Sequence, residues 1–402
     1  MLHLAGRTAT ADRLTMRLRN REHDLSIDRE DSVPFHWRKL VPERTPGDQH
    51  GGASAPPPDD GPASTTTSSR HSDAELLLLS KFVGPASPSQ FRAEMWNPVL
   101  TRPVESVIGD LERSGLLVPA TGSEVLEFAF TSVALKALAK ERGLPRSGRK
   151  RDIVARLVQA DPSGMAGLIK QLDLRVCSDA GRAVALPYIE RRANQRTQAE
   201  SESLAFLAAQ DFASASRRVA EYEATQVFSR GLGIDWANYN PAPDVAVLET
   251  IYSRVPGILK GLNPTALPAL RTGAAMSYLW GTGRSRPWMP ADLVTGCRLD
   301  AETCARMFIF LGYSRRTLDE FFEKSYGVVH GAEILAAPDA CPTCAALNGV
   351  RFRPGEVPEI PHPECTSTEG CRCALLHMAG RRNGPSVDHA RPGPSVSHRI
   401  RA

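Results

Sequence analysis

The chain has 402 residues, a formal net charge of +4 and 42% hydrophobic residues. That is enough for two or three domains with real cores, and too little charge to name a partner unless it is read locally. Its most apolar short run, Leu76–Leu79, meets Ser80 and Lys81 at once, far short of the roughly 20 residues a bilayer crossing takes. The arginine- and acid-laden start carries no apolar signal-peptide core, so the expectation is a cytoplasmic protein without a membrane partner.

Residues 1–72 mix charges of both signs with Gly51-Gly52-Ala53-Ser54-Ala55-Pro56-Pro57-Pro58 and a Thr65–Ser69 run. Such composition cannot offset the entropy of ordering a backbone, and a disordered tail is expected there and again over 380–402. Order should begin at Ser72, which can cap a helix running into the leucines. A helix at Pro103–Arg113, a strand-like Gly115-Leu116-Leu117-Val118 and a turn at Thr121-Gly122 follow. Residues 73–130 are thus expected to form a small helical or winged-helix-like segment.

Farther on, 186–330 is expected as a helical domain. Leu186–Phe228 is read as long helices, with Leu204, Leu207, Ala208 and Phe212 on one face. Helices are expected at Asp244–Leu259, Thr265–Leu279, Ala301–Leu311 and Arg316–Lys324, punctuated by Pro241, Pro243, Pro256, Pro264, Pro287 and Pro290. No repeat length recurs, which argues against a solenoid. The predicted fold class is mainly α.

Between these lies a segment with a sharper signal, residues 131–160. Thr131 or Ser132 can cap a first helix through Arg142, in which Leu135 and Leu138 share a face. Gly143 suits a left-handed C-cap, Leu144 folds back, and Pro145 to Gly148 connect to a second helix whose apolar face is Ile153, Val154 and Leu157. So small a core should lean on neighbouring structure. Arg142, Arg146, Arg149, Lys150, Arg151 and Arg156 crowd the loop and second helix, a surface suited to tracking phosphates. No aromatic platform accompanies them, which favours duplex backbone over splayed single strands.

This segment resembles the SAP domain family over Thr131 to about Val158. Leu135, Leu138, Gly143, Leu144, Gly148, Lys150, Ile153 and Leu157 stand where that family's apolar-and-glycine pattern puts them. The resemblance implies a module that binds double-stranded DNA and targets a larger protein, with DNA contact at Arg146, Arg149, Lys150 and Arg156.

Five of the eight cysteines fall between Cys341 and Cys373. Cys341 and Cys344, two residues apart, can face one point from a tight turn, and His362, Cys365, Cys371, Cys373 and His377 follow. Four such donors suit tetrahedral zinc, and thiolates disfavour magnesium and calcium. In an extended segment Cys371 and Cys373 would sit nearly 7 Å apart, so one of them is expected to join. The preferred set is Cys341, Cys344, His362 and Cys373, with Cys365 or Cys371 as replacements, making 331–379 a Cys/His knuckle around structural zinc. Cys177, Cys297 and Cys304 are expected to be buried apolar thiols.

Cys341, Cys344, Leu347, Gly349, His362, Pro363, Cys371, Arg372 and Cys373 together resemble the C-terminal part of the phage head morphogenesis family, which includes the Mu F-type minor head proteins. The resemblance implies capsid assembly, with capsid or portal proteins as partners. A Glu364–Gly370 insertion carrying Cys365 departs from that family's pattern.

Enzyme motifs are lacking. Gly281-Thr282-Gly283-Arg284 has no lysine–hydroxyl pair to grip phosphates, and neither His-Glu-x-x-His nor Gly-x-Ser-x-Gly occurs. The enzymatic alternative is a metal-dependent nuclease built from His330, Asp339, His362 and Glu364. The balance of motifs favours a non-catalytic, DNA-associated protein.

Overall fold

In the computed structural model, which describes residues 71–231, 233–323, 329–353 and 355–379, the chain is mainly helical. The two expected tails lie outside those residues, apart from His71 and Ser72. Two compact units are formed: one reaches to Ala199 and also takes Glu221–Ala237, while the other takes Glu200–Ala220 and the chain from Asn238 onward.

The first unit opens with α1 (Asp73–Ser80). Its N-terminus is closed reciprocally: Ser72 Oγ accepts the Glu75 N–H at 3.2 Å, and the Glu75 carboxylate accepts the Ser72 N–H at 3.1 Å. The four leucines are all buried, in a core with Phe82, Phe91 and Trp96. Helices α2 (Ala93–Leu100) and α3 (Val104–Arg113) cover it, α3 turning Val104, Val107, Ile108 and Leu111 inward at helical spacing. Strand β1 (Leu117–Pro119) then pairs antiparallel with a strand far along the chain, β2 (Arg175–Cys177), in the register Leu117↔Cys177. Ala86 bridges Arg175, so β2 lies between Ala86 and β1.

The regular elements between those paired strands are all helices: α4 (Gly122–Ala129), α5 (Ser132–Glu141), α6 (Lys150–Ala160) and α7 (Pro162–Ile169). The Ala120 N–H donates to the Leu174 carbonyl at 3.0 Å, so this insert leaves and rejoins the unit at adjacent points. The turn expected at Thr121-Gly122 is instead the start of α4. Thr121 Oγ1 accepts the Glu124 N–H at 3.3 Å and Glu124 accepts the Thr121 N–H at 2.8 Å, a capping box that converts the turn into a helix. After β2, Ser178 Oγ accepts the Gly181 N–H at 3.0 Å, and α8 (Asp179–Ala208) starts there, ahead of the expected Leu186, and runs through Pro187.

The second unit contains the end of α8, part of α9 (Phe212–Ala224), and α10 (Ala242–Ser253), α11 (Leu267–Leu279) and α12 (Ala301–Glu323). Val247, Leu248, Ile251, Leu270, Met276, Trp280 and Phe308 fill its core. The expected helices at Ala301–Leu311 and Arg316–Lys324 are one helix. Gly312, between the two expected stretches, serves packing: a Cβ there would meet Val247 Cγ1 at 2.7 Å, so the glycine admits α10 at close range. Beyond α12 comes a three-stranded antiparallel sheet in the order β4-β3-β5, made of β3 (Val329–Leu335), β4 (Arg351–Phe352) and β5 (Ala374–Ala379), with the short helix α13 (Pro342–Ala345) between β3 and β4. The cysteine-rich loops sit between its strands. No helix among the described residues is long and apolar enough to cross a membrane.

Candidate nucleic-acid interface and metal centre

Helices α5 and α6 meet through Leu135, Ala139, Ile153, Val154 and Leu157, all essentially inaccessible to solvent. Leu126 and Phe130 from α4 and its end, and Met165 from α7, complete this core, while Leu138 and Leu144 pack at its edge. The two-helix element therefore has a floor of flanking helices, the support its small size demands. Thr131 Oγ1 caps α5 by accepting the Ala134 N–H at 3.2 Å. Gly143, at φ +68°, ends it in the left-handed region, and the Leu144 N–H returns to the Ala139 carbonyl at 2.9 Å. Gly148, at φ +103°, makes the second turn, a conformation side-chain-bearing residues rarely adopt.

The basic residues of this element divide by what they touch. Arg142, half-buried, donates Nε to Asp161 at 2.9 Å and Nη1 to the Leu138 carbonyl at 3.3 Å, tying α5 to the start of α7. Hydrogen bonding from Arg142, helped by the Gly164 N–H, holds the Asp161 carboxyl below the usual carboxylate range. Arg156 reaches back across the loop to the carbonyls of Pro145 and Ser147. Lys150 donates to the Glu127 carbonyl. Arg151 lies 3.8 Å from Asp152, a loose exposed pair worth little. Arg146 and Arg149, by contrast, are exposed and form no ion pair among the described residues. At the start of α6 the Asp152 carboxylate takes the Arg149 N–H at 2.9 Å, so that backbone donor is already occupied.

Residues 129–162 match the model of the SAP domain family. The helix-loop-helix is a SAP domain. The match covers that segment alone, and neither a curated protein nor a solved structure matches the chain. The SAP domain is thus the insert between β1 and β2, extended at both ends by α4 and α7.

In the second unit the five clustered cysteines converge and all are buried. The sulfurs of Cys341, Cys344 and Cys365 lie within 4.8 Å of one another, as do those of Cys344, Cys371 and Cys373, so Cys344 belongs to both groups. Cys341 Sγ and Cys365 Sγ are 3.8 Å apart, and Cys344 Sγ and Cys371 Sγ 4.0 Å. The sulfurs of Cys371 and Cys373 lie within 4.8 Å of each other, so the nearly 7 Å separation expected of an extended segment does not hold and both reach the cluster. Burial works to raise the Cys341 thiol, but backbone N–H groups of Cys344 and Thr366 outweigh it and bring it down to about 6. Burial raises the Cys373 thiol to about 11 and also raises Cys344 and Cys365.

His362 joins neither sulfur group. Its Nδ1 accepts the Glu364 N–H at 3.2 Å, and its own backbone N–H donates to Cys371 Sγ at 3.4 Å. The side chains of His330 and His377 lie outside the described residues. Of the acidic residues in the nuclease alternative, Asp339 pairs with Arg372 at 2.6 Å and Glu364 with Lys260 at 2.5 Å. Cys177 and Cys304 are buried, and burial lifts both thiols, Cys177 to about 11. Cys297 is only half-buried, with its sulfur 3.4 Å from that of Cys304.

Sequence reasoning missed the capping roles of Thr121 and Glu124, although Thr-x-x-Glu before an apolar run was a readable signal. It also missed Arg298 and Arg306, whose contacts to the cysteine loop have no local signature.

Proposed function

We propose that the chain is a duplex-DNA-binding protein whose SAP domain contacts phosphates, with a structural zinc site in its second unit and no catalytic centre of its own. The observation that carries this reading is the pair Arg146 and Arg149: exposed cations without ion pairs among the described residues, on a loop locked between two core-packed helices. Such cations displace condensed counterions from a duplex at little cost in side-chain partners. Lys150, which donates to the Glu127 carbonyl of α4, and Arg156, which braces the loop through the Pro145 and Ser147 carbonyls, add charge.

The α1–α3 segment with Ala86, β2 and β1 is winged-helix-like in this reading, and the SAP domain takes the place of the wing. Helix α3 carries Glu105, Asp110 and Glu112, with Asp110 held by Arg102 and Arg113 and Glu112 by Arg175. With Asp110 and Glu112 paired to arginines, α3 offers no net positive charge to phosphates, so contact is assigned to the SAP domain.

Titration of the full chain with a fluorescent duplex tests this. Salt-sensitive binding that weakens in the Arg146→Ala/Arg149→Ala double variant is expected. Equal binding by wild type and variant would sink the assignment.

A second reading, capsid assembly with head or portal proteins, is favoured by the convergence of Cys341, Cys344, Cys371 and Cys373, the cysteines shared with the phage head morphogenesis pattern. Co-sedimentation with a portal ring, unchanged by the arginine substitutions, would support it over the first.

A further inference from the structure

A tetrahedral zinc with bonds of about 2.3 Å to four thiolates sets their sulfurs about 3.8 Å apart along each edge. Cys341–Cys365 at 3.8 Å and Cys344–Cys371 at 4.0 Å already have that spacing. The Thr366 N–H points at Cys341 Sγ and the His362 N–H at Cys371 Sγ, both at 3.4 Å, the outer-shell donors that stabilise thiolate ligands. The His362 ring, in contrast, uses Nδ1 to accept from Glu364 and has no place in either sulfur group.

We propose that the cluster is an all-thiolate zinc site in which Cys341, Cys344 and Cys365 supply three ligands, Cys371 or Cys373 supplies the fourth, and His362 supplies none. It rests on the metal-binding reading of the cluster and names its ligands. Cys365 belongs to the Glu364–Gly370 insertion, and that loop is fixed from outside. Arg298 donates to the carbonyls of Cys365 and Ser367, and Arg306, on α12, donates to that of Glu369 at 3.0 Å. Cys341 and Cys344 stand at the start of α13, and Cys373 directly precedes β5. The metal therefore ties α13 to a loop held by α12, and ties both to the entrance of β5. Five thiols for four positions make the Cys371–Cys373 pair redundant, since both sulfurs adjoin Cys344.

The test is metal stoichiometry of the full chain by native mass spectrometry, after purification without chelator, with zinc affinity from competition against a chromophoric chelator. Wild type and His362→Ala should each hold one zinc with equal affinity. Cys365→Ser should lose more than the roughly 10–100-fold typical of an outer-shell change. Cys371→Ser and Cys373→Ser should each keep the ion, and the double variant should lose it. Because Cys365→Ser can fail by misfolding, cobalt(II) substitution gives a second readout on folded protein: wild type and His362→Ala should show the same thiolate-to-metal absorption. A changed spectrum in His362→Ala, or zinc kept by Cys365→Ser, overturns the ligand set. Wild type without metal, or with a Cys341–Cys365 disulfide, overturns the metal reading itself.

Discussion

Leu157→Ala should unfold the SAP domain locally. Leu157 is wholly buried between α5 and α6 among Leu135, Ile153 and Val154, on helices held by their neighbours. Removing a leucine side chain from such a site costs about 3–5 kcal/mol, since the transfer term and the cavity add. The whole helical insert, Gly122–Ile169, is about 50 residues, and at 0.05–0.15 kcal/mol per residue its stability is on the order of 2–7 kcal/mol. One substitution thus consumes much or all of it. Hydrogen exchange of the full chain reads the effect: amides of α5 and α6 should lose at least about 100-fold in protection, because each 1.4 kcal/mol is tenfold. Amides in the core around Val247, Leu270 and Phe308 should stay as they were. Protection in α6 within about threefold of wild type would show that Leu157 is not a keystone of this core, and would refute the claim that α5 and α6 stand on it.

The Arg146→Ala/Arg149→Ala variant should lower the salt slope of duplex binding by about 1.8, at about 0.9 per phosphate contact. Between about 50 and about 200 mM salt, wild-type affinity should then fall about 12-fold more than the variant's, as measured by fluorescence anisotropy. Gly148→Ala puts a side chain at φ +103° with Asp152 Oδ2 3.2 Å from the new Cβ, and should cost about 1–3 kcal/mol in chemical denaturation. Thr131→Ala, which removes the α5 cap, should cost about 0.5–2 kcal/mol by the same assay. Asp161, held low by Arg142 and the Gly164 N–H, contributes stability that is complete above the ordinary aspartate range and is lost as pH falls through its lowered folded value. Asp161→Asn should therefore flatten the acid limb of the SAP domain's pH–stability curve; an unchanged limb would contradict the Arg142 assignment.

The SAP helices, their apolar faces, the Thr131 cap and the left-handed Gly143 were legible because each depends on residues within about one helical turn. The crowding of cysteines was equally plain, although which of them meet was not. Local signals failed where distant chain closed on them. The β1–β2 pairing makes the SAP domain an insert, and no periodicity in Leu117–Pro119 announces a partner at Arg175–Cys177. The two helices expected at Ala301–Leu311 and Arg316–Lys324 are one, with Gly312 packed close against Val247.

Charge shows the division most clearly. The charge pattern listed Arg142, Arg146, Arg149 and Arg156 as equals, whereas the fold gave Arg142 to Asp161 and Arg156 to two loop carbonyls, and left Arg146 and Arg149 without ion pairs among the described residues. Helix and cap are set by neighbours along the chain, so one strand of text specifies them. Which cation is occupied, and which sulfurs stand an edge of a tetrahedron apart, depends on groups brought near only when remote segments pack.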